Sequence, residues 1–102
     1  MAKRALKMAK NKITISDRAI AALAERTATE TDGVLAIADR SGGTHRGRVY
    51  ITRDRKLEIF LICRYGANTN AIYKSITSRL RSMLGDVGGI TSVEMRIVGI
   101  GD

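Results

Sequence analysis

The sequence predicts an α+β protein: a two-layer α/β sandwich of element order α-β-β-β-α-β, with two helices on one face of a mixed sheet. The first observation is an alternating apolar segment, residues 57–65, followed by a helical pattern and then another strand-like segment. A strand–helix–strand unit of this length normally forms a right-handed crossover between parallel strands. The second observation is a pair of short strand-like segments upstream. A polar turn joins the later of them to residues 57–65, which predicts a hairpin.

The first helix is predicted to begin after Ser16, a favourable N-cap residue, with Asp17 in the first turn where a carboxylate suits the helix dipole. Apolar and small residues then recur at helical spacing, and Gly33 provides a stop signal. The predicted buried stripe is narrow: Ile20, Leu23, Ala24, Thr27 and Ala28. Such a stripe allows the helix to lie close against a sheet.

Three strands are predicted next, over residues 34–38, 48–52 and 57–65. Because side chains alternate along a strand, the third has two distinct faces. Its predicted inner face is core-like and consists of Leu57, Ile59, Leu61, Cys63 and Tyr65. Its outer face mixes charged and large apolar groups, namely Glu58, Phe60, Ile62 and Arg64, so we expect it to be only partly covered.

The second helix is predicted from an apolar stripe with a spacing of about four residues, capped by Asn68 or Asn70 and ended by Gly85. The stripe consists of Ile72, Ile76, Leu80 and either Met83 or Leu84. The last strand then places Val93, Met95 and Ile97 inward and Glu94, Arg96 and Val98 outward.

Length and composition limit the possibilities. A chain of 102 residues forms one domain with one core, and no apolar run approaches the roughly 20 residues of a membrane span. The only cysteine cannot form an internal disulfide, which suits a reducing compartment. We therefore expect a cytoplasmic protein. Its positive charge also allows a peripheral contact with the inner face of the membrane.

The net charge of +8 is concentrated in an N-terminal tail, residues 1–12, which precedes a domain over residues 13–102. The tail holds five cations and no acid: Lys3, Arg4, Lys7, Lys10 and Lys12. Such a segment attracts an anionic membrane surface or nucleic acid, and we predict a weak contact of this kind. The alternative is a solvated terminus that only favours solubility.

Catalytic groups are scarce. Cys63 and His45 are the only residues that could form a cysteine–histidine catalytic pair. Cys63 falls on the predicted inner face, where a thiol behaves as a small hydrophobe. Two such ligands do not make a zinc site. We therefore expect a non-enzymatic protein with no cofactor and no metal.

The outer sheet face is the strongest candidate for binding. Tyr50, Phe60 and Ile62 lie among arginines there, an arrangement that stacks the bases of single-stranded nucleic acids in some proteins. A partly apolar open face also pairs with protein surfaces, and we favour this interpretation. The predicted protein interface comprises Tyr50, Glu58, Phe60, Ile62, Arg64, Glu94 and Arg96, with the two arginines facing the two glutamates of a neighbouring copy.

Several segments, in order, resemble the alkaline shock protein family. Ile15-Ser16-Asp17 with Ile20 opens the first helix, and Gly33-Val34 and the strand Arg48-Val49-Tyr50-Ile51 follow. The strand that starts at Leu57-Glu58-Ile59 and ends at Tyr65-Gly66 is the most specific element. The closing residues Ile90, Val93 and Ile97-Val98-Gly99-Ile100 complete the likeness, whereas Ile76-Thr77 and the basic tail depart from the family pattern.

This resemblance implies a bacterial protein without established catalytic residues. It implies self-association into homo-oligomers and a link to the membrane through a separate, membrane-anchored partner in the envelope stress response. The expectation is a scaffold. The alternative is a small basic nucleic-acid-binding protein that uses the tail and the aromatic sheet face.

Overall fold

The computed structural model describes residues 15–43, 47–85 and 89–101. In chain order the elements are helix α1 (Asp17–Thr29), strands β1 (Val34–Ala38), β2 (Tyr50–Ile51) and β3 (Lys56–Arg64), helix α2 (Thr69–Leu84) and strand β4 (Ser92–Gly101). The predicted order of elements is confirmed.

The sheet is mixed and is built around β3. Strand β4 runs parallel to β3 along its whole length, from Lys56 beside Ser92 to Arg64 beside Gly101. Strands β1 and β2 are both antiparallel to β3 and follow one another along its opposite edge. The hairpin between β2 and β3 and the parallel crossover through α2 are therefore both confirmed.

Both helices begin as the sequence predicts. The Ser16 hydroxyl accepts a hydrogen bond from the Ala19 amide at 3.1 Å, and the Asn68 side chain accepts one from the Ala71 amide at 3.1 Å. Each cap satisfies an amide that has no partner within the helix and stabilises it by about 1 kcal/mol. Helix α1 ends earlier than Gly33, which lies at φ +95° in the turn to β1.

The core lies between the helices and the inner face of the sheet. Leu57, Ile59, Leu61 and Cys63 of β3 are all 0% exposed. They are covered by α1 residues Ile20, Ala24 and Ala28 and by α2 residues Ile72, Ile76, Leu80 and Leu84. Burial of a large aliphatic side chain stabilises a fold by about 1.5–3 kcal/mol, so this face supplies much of the stability.

Two sequence predictions in this region are wrong. Tyr65 does not belong to the inner face: β3 ends at Arg64, and Tyr65 is 79% exposed in the turn that continues through Gly66 at φ +80°. Strand β2 is also shorter than residues 48–52, because only Tyr50 and Ile51 pair with β3.

Two irregularities of pairing shape the end of the sheet near Arg64. The register of β1 shifts between Val34 and Ala36, so Leu35 is an extra residue. The register of β4 shifts beside Leu61 and Ile62, so Val98 is extra there. Such bulges bend a strand and turn the extra side chain out of the regular alternation.

Candidate interaction surface

The predicted interface residues share one face of the sheet. Glu58 lies between Tyr50 on β2 and Glu94 on β4, and Phe60 lies beside Arg96. Ile62 and Arg64 continue the same alternation along β3. The alternate residues of β3, Leu57, Ile59 and Leu61, pack against the helices, so the seven lie on the face opposite the helices.

The middle of this outer face is covered by its own side chains. The guanidinium carbon of Arg40 lies 4.1 Å from the centre of the Tyr50 ring, a distance typical of a cation–π contact. An Arg40 Nη2–H also donates to Glu58 Oε1 at 2.8 Å. The Tyr50 ring meets Phe60 edge to face, with 6.0 Å between ring centroids and 86° between planes.

The consequence for Phe60 is burial. The ring is only 8% exposed although it lies on the face away from the helices. A buried ring offers little surface for stacking a base, and Arg40 occupies one face of the Tyr50 ring. The sequence gives no local signal for Arg40, because its partners lie ten and eighteen positions away.

An apolar patch lies at the other end of the outer face, formed by Leu35, Ile62, Gly99 and Gly101. A Cβ added at Gly101 would stand 2.8 Å from Leu35 Cδ1, and one at Gly99 would stand 3.4 Å from Ile62 Cδ1 and Cγ1. The two glycines therefore let apolar side chains lie flat across β4. Leu35 is 43% exposed, which leaves an apolar surface on the same face as the Tyr50 and Phe60 rings.

The acidic residues of the face already have partners within the chain. Glu94 contacts Arg96 at 3.1 Å and Lys56 at 3.6 Å, and the hydrogen bonds from Arg96 lower the pKa of the Glu94 carboxyl. Arg64 lies 4.0 Å from Asp32, with both side chains exposed. Such surface pairs are individually weak.

Cys63 has the environment expected of a core residue. It is 0% exposed on the inner face, and burial raises the pKa of its thiol. A raised pKa reduces the thiolate fraction on which nucleophilic reactivity depends. His45 and the basic tail lie outside the described residues, so the predicted anionic-surface contact stays a prediction.

Two further observations concern the residues that the structure describes. No cluster of three or more histidine, cysteine or carboxylate groups is placed to hold a metal ion among them. Neither described helix combines the length and the apolar character needed to cross a membrane.

Comparison with known proteins found no matching family model, no matching curated protein and no matching solved structure.

Proposed function

We propose that this chain is a non-enzymatic scaffold that associates with copies of itself. The observation that carries the proposal is the outer sheet face. No described helix covers it, and it places the half-exposed apolar patch beside charged groups of both signs. A self-complementary contact needs apolar area and mixed charge on one surface, because each copy presents the same residues to the other.

The cellular setting of the proposal comes from the resemblance to the alkaline shock protein family. In that setting the scaffold works in the bacterial envelope stress response, at the cytoplasmic side of the membrane, through a membrane-anchored partner. The contact with the partner is separate from self-association. The basic tail supplies a weak electrostatic attraction to the same membrane surface.

The patch can be tested with a matched pair of variants. Leu35→Asp places a charge in the patch, whereas Met83→Asp places one at a residue of similar exposure on α2, 49% against 43%. We expect Leu35→Asp to weaken self-association by about tenfold or more, since a charge at a buried apolar contact costs more than 1 kcal/mol. Met83→Asp should associate like the wild type. Equal association of both variants would remove the patch from the interface.

The tail has its own experiment. Deleting residues 1–12 should leave thermal stability nearly unchanged and reduce co-sedimentation with anionic vesicles at low salt, because each basic residue contributes roughly 1 kcal/mol near such a surface. Neutral vesicles are the control. Vesicle binding that does not depend on the tail would rule out its membrane role.

The alternative function, binding of single-stranded nucleic acid, has less support from the geometry. The aromatic platform that it requires includes Phe60, which is buried, and Tyr50, whose ring is contacted by Arg40 on one face. Basic residues alone give salt-sensitive, sequence-independent attraction. Titration of single-stranded RNA at low and physiological salt separates the two: binding that survives physiological salt would favour the alternative.

A further inference from the structure

The outer edge of β4 carries backbone N–H and C=O groups that no described strand pairs with. Among the described residues β4 pairs with β3 alone. The Arg64 amide donates to Gly33, next to β1, and the Tyr65 amide donates to Gly101 of β4. Backbone groups of successive residues point to opposite edges of a strand, so the odd-numbered residues of β3 face β4.

The register then fixes which residues of β4 face away from β3. Leu57, Ile59 and Leu61 lie beside Val93, Met95 and Ile97. In a parallel pair only one of two adjacent residues directs its N–H and C=O toward the other strand. The N–H and C=O groups of Val93, Met95 and Ile97 therefore point outward. Consistent with this, the Val93 carbonyl accepts a long hydrogen bond, 3.5 Å, from the hydroxyl of Tyr73 on α2.

We propose that residues 92–98 of β4 pair antiparallel with the same residues of a second copy, with Met95 opposite Met95 of the other copy. The inference rests on the proposed self-association and adds to the outer-face patch a second contact, through this edge. In this register Val93 lies opposite Ile97, so outward-facing residues meet and exchange hydrogen bonds. The helices of both copies lie on the same side of one continuous sheet.

Charge selects this register over its neighbours. It places Glu94 opposite Arg96 of the other copy, twice by symmetry, on the outer face. Shifting the strands by two residues in either direction places Glu94 opposite Glu94 or Arg96 opposite Arg96, and like charges directly opposite destabilise a strand pair. The bulge at Val98 ends the regular strand where this pairing would end.

Apolar burial favours the same contact. Val93, Met95 and Ile97 face the helices but are only half-buried at the edge of the core. In the proposed pair these side chains meet across the two-fold axis, Met95 against Met95 and Val93 against Ile97. A second copy would thus complete the burial that one chain leaves unfinished.

The decisive experiment mixes two charge variants. Glu94→Arg alone creates two Arg–Arg contacts, and Arg96→Glu alone creates two Glu–Glu contacts, so each should associate about tenfold more weakly than the wild type. Mixed together, the two variants form Arg–Glu pairs at both positions and should associate as well as the wild type. The double variant Glu94→Arg/Arg96→Glu should also self-associate, which controls for folding.

The register has a separate readout. In Met95→Cys the two cysteines would lie about 5.5 Å apart at Cα, within disulfide range. We expect a disulfide-linked dimer on mild oxidation, whereas Met83→Cys on α2 should not form one. Self-association that persists unchanged in both charge variants, without recovery on mixing and without a Met95→Cys disulfide, would overturn the edge pairing and leave the scaffold proposal standing. A wild type that is monomeric at every concentration would overturn both.

Discussion

The two faces of β3 differ although they alternate residue by residue along one strand. On the inner face every side chain from Leu57 to Cys63 is 0% exposed against the helices. On the outer face a buried phenylalanine lies between the half-buried Glu58 and Ile62, with an exposed arginine at the end. The inner face holds the fold together, and the outer face is partly closed by its own side chains.

The difference shows how one strand serves two purposes. Complete burial on one side allows the other side to carry charge and half-exposed apolar groups without unfolding the chain. The cation–π and aromatic contacts around Tyr50 cover Phe60 and confine the accessible apolar surface to the patch at Leu35.

The sharpest comparison uses two isoleucines of the same strand. Ile59 is 0% exposed on the inner face, whereas Ile62 is half-buried on the outer face. We expect Ile59→Ala to lower the free energy of unfolding by about 3–4 kcal/mol and Ile62→Ala by about 1 kcal/mol, because the cavity cost scales with burial. Urea denaturation measures both. Equal losses would mean that the two faces contribute alike and would break the comparison.

The self-coverage of the outer face has a smaller expected effect. Arg40→Ala removes the cation over Tyr50 and the contact with Glu58, which should lower the free energy of unfolding by about 1 kcal/mol. Arg53→Ala is the control, since Arg53 is exposed and makes no ion pair within the described part of the chain. Chemical denaturation of both variants provides the measurement. A loss no larger than that of the control would show that Arg40 contributes nothing to closing this face.

The smallest expected effect is a pH dependence on the outer face. The pKa of Glu94 is lowered from its usual 4.5, chiefly by hydrogen bonds from Arg96. The stabilisation is therefore complete above pH 4.5 and is lost as the pH falls through the lower, folded-state pKa. At a protein concentration where the chain is monomeric, the wild type should lose more stability on acidification than Glu94→Gln. Identical acid profiles would show that the pair contributes nothing to folding.

The fold was predictable because its signals are local. The side chains of Ser16 and Asn68 cap their helices by accepting hydrogen bonds from amides only three residues away. The alternation of apolar residues from Leu57 to Cys63 identifies the inner face of β3. The outer face was less predictable. Arg40 reaches Tyr50 across a loop, and the bulge at Leu35 depends on pairing with β3 rather than on nearby residues. The apolar alternation in the sequence continues to Tyr65, although the strand itself ends at Arg64.

The central claim of self-association is tested most directly by sedimentation velocity of the full-length wild type over a wide range of concentrations. The account predicts a sedimentation coefficient that rises with concentration from the value of a monomer to that of a dimer or larger assembly. Dilution should reverse the change, because the contact is non-covalent. A single monomeric species at every concentration, with the chain correctly folded, would contradict the account.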